Sequence, residues 1–131
     1  MYVDPYALSP ENLLVIYRQA LTEARAATTE KAAITLWQYS SLLANAIAAR
    51  MRGFNNPPIR PNDEVKQAKS DWSANASSIR LMALEGKETA VVARVWCDEE
   101  GTWSLGFAHL PFDMTIDARH FAPISRVYET S

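Results

Sequence analysis

Apolar positions along this chain follow two periods, and the change falls near residue 85. Ahead of it they recur mostly at helical spacing. From Thr89 to Tyr128 they alternate every second residue and favour β-branched and aromatic side chains. Helices first and strands last predict an α+β protein, with an antiparallel sheet at the C-terminal end.

The first helix opens at Ser9-Pro10-Glu11. Serine caps free backbone amides, proline fits the first helical position, and glutamate suits the positive end of the helix dipole. Leu14, Tyr17, Leu21 and Ala24 continue one face to about Ala27. Thr28-Thr29-Glu30 starts a second helix that runs to Arg52 and stops at Gly53. This second helix is apolar around much of its circumference, so it is central in its own fold or covered by a second copy. The link between the helices is short, which predicts an antiparallel hairpin. Ahead of them, Tyr2, Val3, Tyr6 and Leu8 form an arm suited to lie against the body.

Phe54 to Pro61 holds three prolines and two asparagines, so it is an extended connection and a candidate functional loop. Asn62-Asp63-Glu64 reads as the start of a third helix through Val65, Ala68, Trp72 and Ala76. Two continuations fit: helix to Leu84, or an end near Ala76 with Ile79, Leu81 and Ala83 opening a strand. The second is preferred, because Glu85 to Glu88 then makes a hairpin turn. Thr89 to Trp96 reads as one strand, Cys97 to Gly101 as an acidic hairpin loop, and Trp103, Leu105 and Phe107 as the returning strand. Pro111 to Phe121 is irregular or holds one helical turn, and Ile124 to Tyr128 is a last strand. The expected architecture is an N-terminal antiparallel helical hairpin plus a third helix, packed on a three- to four-stranded antiparallel sheet. One domain covers residues 1–131, its helical part about 9–76 and its β part about 78–129.

Composition narrows the function classes. The 131 residues are 48% hydrophobic and 21% charged, as in a folded globular protein. A net charge of −2 lacks the basic excess of a dedicated duplex-DNA binder. One cysteine, Cys97, permits no intrachain disulfide and fits a reducing compartment. The start, Met1-Tyr2-Val3-Asp4-Pro5, has neither the basic nor the apolar region of a signal peptide. No apolar run approaches a membrane span. A cytoplasmic protein without membrane contact is expected.

Candidate chemistry is sparse. His109, Asp113, Asp117 and His120 lie in one short segment, and imidazole with carboxylate can hold a metal or exchange protons. Their spacing matches no metal motif, and a surface loop capped by Asp113 accounts for it equally well, so no metal is assigned. Asp98, Glu99 and Glu100 would hold any thiol chemistry at Cys97 back, since a reactive thiolate needs positive surroundings. Those acids also offer a surface to a basic partner, as well as an ordinary solvated hairpin tip. Arg52, Phe54, Ile59 and Arg60 flank the proline loop, and arginine beside an aromatic ring can take phosphate or a stacked base. Trp37 and Trp72 sit on apolar helix faces and read as core. Trp96 and Trp103 flank the hairpin and either pair across the strands or form a docking patch. Glycine inside Leu105-Gly106-Phe107 predicts a bulge or the close approach of another backbone. Phosphate-binding glycine loops, a GxSxG nucleophile elbow and CxxC pairs are all missing.

The sequence is therefore read first as a non-enzymatic binding module without cofactors. It would act by stoichiometric protein–protein contact, as a homodimer, in the manner of small accessory or inhibitor proteins of bacteria and phages. The binding residues would be Trp96, Asp98, Glu99, Glu100 and Trp103 on one surface, with Arg52, Phe54, Ile59 and Arg60 on another. The alternatives are a small-ligand or metal-dependent enzyme using His109 to His120, and a nucleic-acid or nucleotide binder using the arginines around the proline loop.

Overall fold

The computed structural model describes residues 3–69 and 75–124. By its contacts the chain divides into two compact units. A helical unit holds residues 3–57 and 96–102, and a β unit holds residues 58–95 and those from 103 onward.

In the helical unit, α1 (Pro10–Ala26) and α2 (Glu30–Met51) form the expected hairpin. Both starts are fixed by local chemistry. Ser9 Oγ accepts from the Asn12 amide at 3.2 Å, and Thr29 Oγ1 accepts from the Ala32 amide at 3.2 Å. Leu13, Ala20 and Ala24 of α1 are buried, as are Leu42, Leu43, Ala46 and Ala49 of α2. The alanines keep side chains short where the backbones approach. Ser40, also buried, donates its hydroxyl to the Leu36 carbonyl at 2.8 Å, which satisfies that hydroxyl inside the helix. In the N-terminal arm Pro5 and Tyr6 are buried, Leu8 is half-buried, and Arg50 Nη1 donates to the carbonyls of Pro5 and Leu8; Val3, expected against the body, is exposed, and Tyr2 lies outside the described residues.

The hairpin tip, residues 98–102, also belongs to this unit. Asp98 Oδ1 accepts from the amides of Glu100 (2.9 Å) and Thr102 (2.8 Å), which holds the loop closed. Gly101 has φ +88, and a Cβ there would lie 2.7 Å from the Phe54 ring. Only glycine suits both the backbone and the space. Asn45 of α2 joins the strand end to the helix. Its Nδ2 donates to the Cys97 carbonyl at 2.8 Å and its Oδ1 accepts from the Cys97 amide at 2.9 Å. A side-chain amide thus satisfies both backbone groups of one strand residue, as a neighbouring strand would.

The described strands form two three-stranded antiparallel sheets, which lie in the β unit except for Trp96 and Cys97 at the end of one strand. One orders β2 (Ala90–Val91), β1 (Glu64–Gln67) and β6 (Phe121–Pro123); Val65 faces Ala90 on one side and Pro123 on the other. The second orders β3 (Arg94–Cys97), β4 (Trp103–Gly106) and β5 (Ile116–Asp117), with Leu105 facing Ile116. Helix α3 (Ala76–Leu84) completes the unit. Ile79, Ala83 and Leu84 of α3 share one buried core with Ile59, Val65, Val95, Leu105, Phe107, Ile116 and Phe121. Burial contributes about 1.5–3 kcal/mol for each large side chain, so this core anchors the unit.

Four expectations about local structure need correction. Residues 64–67 are strand, not the start of a third helix, and they fall inside the stretch expected to be helical. Asn62 sits at φ +74, a conformation asparagine tolerates, and the Asp63 carboxylate accepts from the Arg60 amide at 2.9 Å. The polar triplet therefore makes a turn into a strand. Residues 76–84 are helix, not the preferred strand: Ile79 and Ala83 are buried four apart while Leu81 is exposed, which is helical spacing. Glu85 and Gly86, both at positive φ, end that helix where a hairpin turn was expected.

The single strand expected over Thr89 to Trp96 is broken at Val92 and Ala93. The Val92 amide bonds back to Asp63 O at 2.9 Å and the Ala93 amide to Gly106 O at 3.0 Å, so the chain changes sheets between them. The last described strand is Phe121–Pro123; the strand expected over Ile124 to Tyr128 lies largely outside the described residues. Trp72 lies outside them too. At Gly106 a Cβ would stand 2.8 Å from Arg94 Nε, so a side chain, not a backbone, occupies the space that glycine opens.

Candidate interaction surface

Of the candidates from His109 to His120, Asp117 and His120 are close enough to interact electrostatically, while His109 finds its partners outside the segment. His109 Nε2 lies 2.9 Å from the Met82 carbonyl, and Nδ1 lies 3.7 Å from Glu85 Oε1. Protonated Nε2 donates to that carbonyl, so the ring clamps the C-terminal turn of α3. Asp117 caps the 3-10 turn Ala118–His120. It accepts from the Arg119 amide at 2.9 Å and from Arg119 Nη2 at 2.7 Å. Those side-chain hydrogen bonds hold its carboxyl below the usual range. Asp113 is exposed, and the His120 carbonyl accepts from the Ala68 amide at 2.9 Å. Among the described residues, no group of three or more His, Cys, Asp or Glu is arranged to hold a metal ion.

Cys97 is buried, with 3% of its surface exposed. Burial pushes the thiol pKa up and Asp98 adds to the shift, while Arg52 opposes it more weakly. The thiol stays protonated and unreactive near neutral pH.

The residues picked out around the proline loop fall in different places. Arg52 is exposed at the end of α2, and the Phe54 ring packs against Gly101 in the same unit. Ile59, expected on an exposed surface, is 2% exposed and belongs to the core of the β unit, where Arg60 is half-buried. A proline-rich stretch can be extended and still face inward, because proline fixes the backbone without deciding which side is wet. Trp96 and Trp103 are both half-buried, and Trp103 packs on the β core. At the hairpin tip Glu99 and Glu100 are exposed, whereas Asp98 uses its carboxylate to form the turn.

A larger apolar surface lies on α2. Trp37, expected in the core, is 44% exposed, Ile34 is 49% and Met51 is 83%. Ser41 is exposed between them, and Ala44 and Ala48 are half-buried. Residues 34, 37, 41, 44, 48 and 51 alternate steps of three and four, which puts them in one stripe along the helix. The stretch from Ala32 to Ala49 contains no charged residue. That stretch was legible as an over-apolar helix, but periodicity alone did not assign Ile34 and Trp37 to its outer side. No described helix is long and apolar enough to cross a membrane. No family model matches the sequence, and no curated protein and no solved structure matches it.

Proposed function

We propose that this chain is a small cytoplasmic, non-enzymatic binding module that acts by stoichiometric contact with protein. The observation that carries the reading is the exposed apolar stripe of α2, with Ile34, Trp37 and Met51 on it and no charge from Ala32 to Ala49. Large apolar side chains aligned on one helix face suit a protein contact better than they suit water. Tryptophan is the residue type most often found at binding hot spots. Glu99 and Glu100 at the acidic tip are exposed as well and offer a separate polar surface.

The test is affinity capture by the purified chain from nuclease-treated lysate, comparing wild type with Trp37→Asp. The reading expects a protein, the chain's own copies included, to be retained in stoichiometric amount by the wild type and lost from the variant. Retention that is identical for both contradicts it.

A further inference from the structure

We infer that the partner of the α2 stripe is a second copy of this chain, its α2 lying antiparallel to the first about a two-fold axis at the level of Leu42 and Leu43. The inference rests on the binding-module reading and names its partner. The evidence is the order of side-chain sizes along the stripe. Read from its midpoint, Ser41 mirrors Ala44, Trp37 mirrors Ala48, and Ile34 mirrors Met51. An antiparallel pair therefore sets small against small at the crossing, the large Trp37 ring against the small Ala48 side chain on either side of it, and the branched Ile34 against the flexible, adaptable Met51 at the ends. A parallel pair would set Trp37 against Trp37 and leave a gap at Ala48.

Isologous pairing requires such a self-complementary surface, and a stripe shaped for an unrelated partner does not. The three-four spacing is also that of a coiled-coil seam, where side chains of one helix enter gaps in the other. Charge agrees with the same arrangement. Glu30 lies one step before Ile34 on the stripe line, and Arg52 follows Met51; both are exposed. Antiparallel pairing brings Glu30 of each copy to the Arg52 end of the other, and the two helix dipoles oppose each other. Between Ile34 and Met51 the seam is about 26 Å long, at a rise of ~1.5 Å per residue. One helix of about five turns from each copy makes a small interface of the transient kind, so the dimer forms reversibly and dissociates on dilution.

The test uses two single-cysteine additions to the full chain, Ile34→Cys and Met51→Cys, with a short-arm bismaleimide. Both positions are exposed, so folding is retained, and the buried Cys97 serves as an internal control for unfolding. Mixed together, the two variants are expected to cross-link to each other several-fold more than either does alone, and the wild type to sediment as a concentration-dependent dimer. Self-linking by each variant alone would overturn the antiparallel arrangement. A chain that stays monomeric into the sub-millimolar range would overturn the second copy as partner; if it still loses a captured protein on Trp37→Asp, the binding-module reading survives. Association untouched by Trp37→Asp in a folded chain would overturn both.

Discussion

The helical and β units place their apolar residues differently. In the β unit, Ile59, Val65, Leu105, Phe107 and Phe121 converge on one core from both sheets, the proline-loop end and the 3-10 region. Its exposed apolar residues, such as Leu81, Val91 and Met114, belong to different elements. In the helical unit, α2 carries two apolar faces. One is buried through Leu42, Leu43, Ala46 and Ala49, and the other shows Ile34, Trp37 and Met51 outward in register. The lesson is that hydrophobicity alone does not separate a folding surface from a binding surface. In the β unit the large apolar side chains are fixed by one another, whereas the helical unit also leaves a row of them facing outward.

That contrast sets the order of expected effects. Phe107→Ala should be the most damaging, since the ring is fully buried among Val95, Leu105 and Phe121 neighbours in one core. A loss of about 3–5 kcal/mol in urea unfolding is expected; a loss near zero would mean that this core does not hold the β unit. Asn45→Ala removes both hydrogen bonds to Cys97 and leaves two backbone groups unpaired. It should cost about 2 kcal/mol, with amide exchange at Cys97 accelerated. Unchanged exchange there would contradict the bridging role of Asn45.

Two smaller effects sharpen the comparison at single groups. The raised thiol pKa and burial predict that Cys97 reacts slowly with iodoacetamide in the native protein at neutral pH and rapidly once unfolded. Equal rates would show the hairpin tip to be open. Asp117→Asn should have the smallest effect on stability. Because Arg119 lowers the folded-state pKa of Asp117 below its unfolded value, the carboxylate stabilises above the unfolded pKa. That contribution is lost as pH falls through the folded value. The wild type and variant should thus differ slightly at pH 7 and converge in acid; a gap that widens in acid would reverse the assignment.

Legibility in the sequence followed how local each determinant is. Ser9, Pro10 and Thr29 act within one turn, and the two long helices were readable to within a residue or so at their starts and ends. β1 has one buried apolar residue, Val65, and so no alternation to detect; its strand state depends on pairing with β2 and β6 far along the chain. The break at Val92 and Ala93 likewise depends on Asp63 and Gly106, which no window around residue 92 contains. Of the surface residues, Arg52, Glu99 and Glu100 are exposed as read, while Ile59 and Phe54 pack inward because their partners are distant in sequence. Trp37 had the opposite fate for a related reason. Helical spacing placed it on an apolar face, and only the packing of α2 against its neighbours decided which apolar face is outside.

The most direct test of this account is sedimentation equilibrium over a range of concentrations, for the wild type and Trp37→Asp, with far- and near-UV circular dichroism as a check on folding. The account predicts a wild-type mass that rises with concentration from 14.6 kDa toward twice that value, and a variant that stays at the monomer mass with an unchanged fold. A wild type and variant with the same mass at every concentration would contradict it.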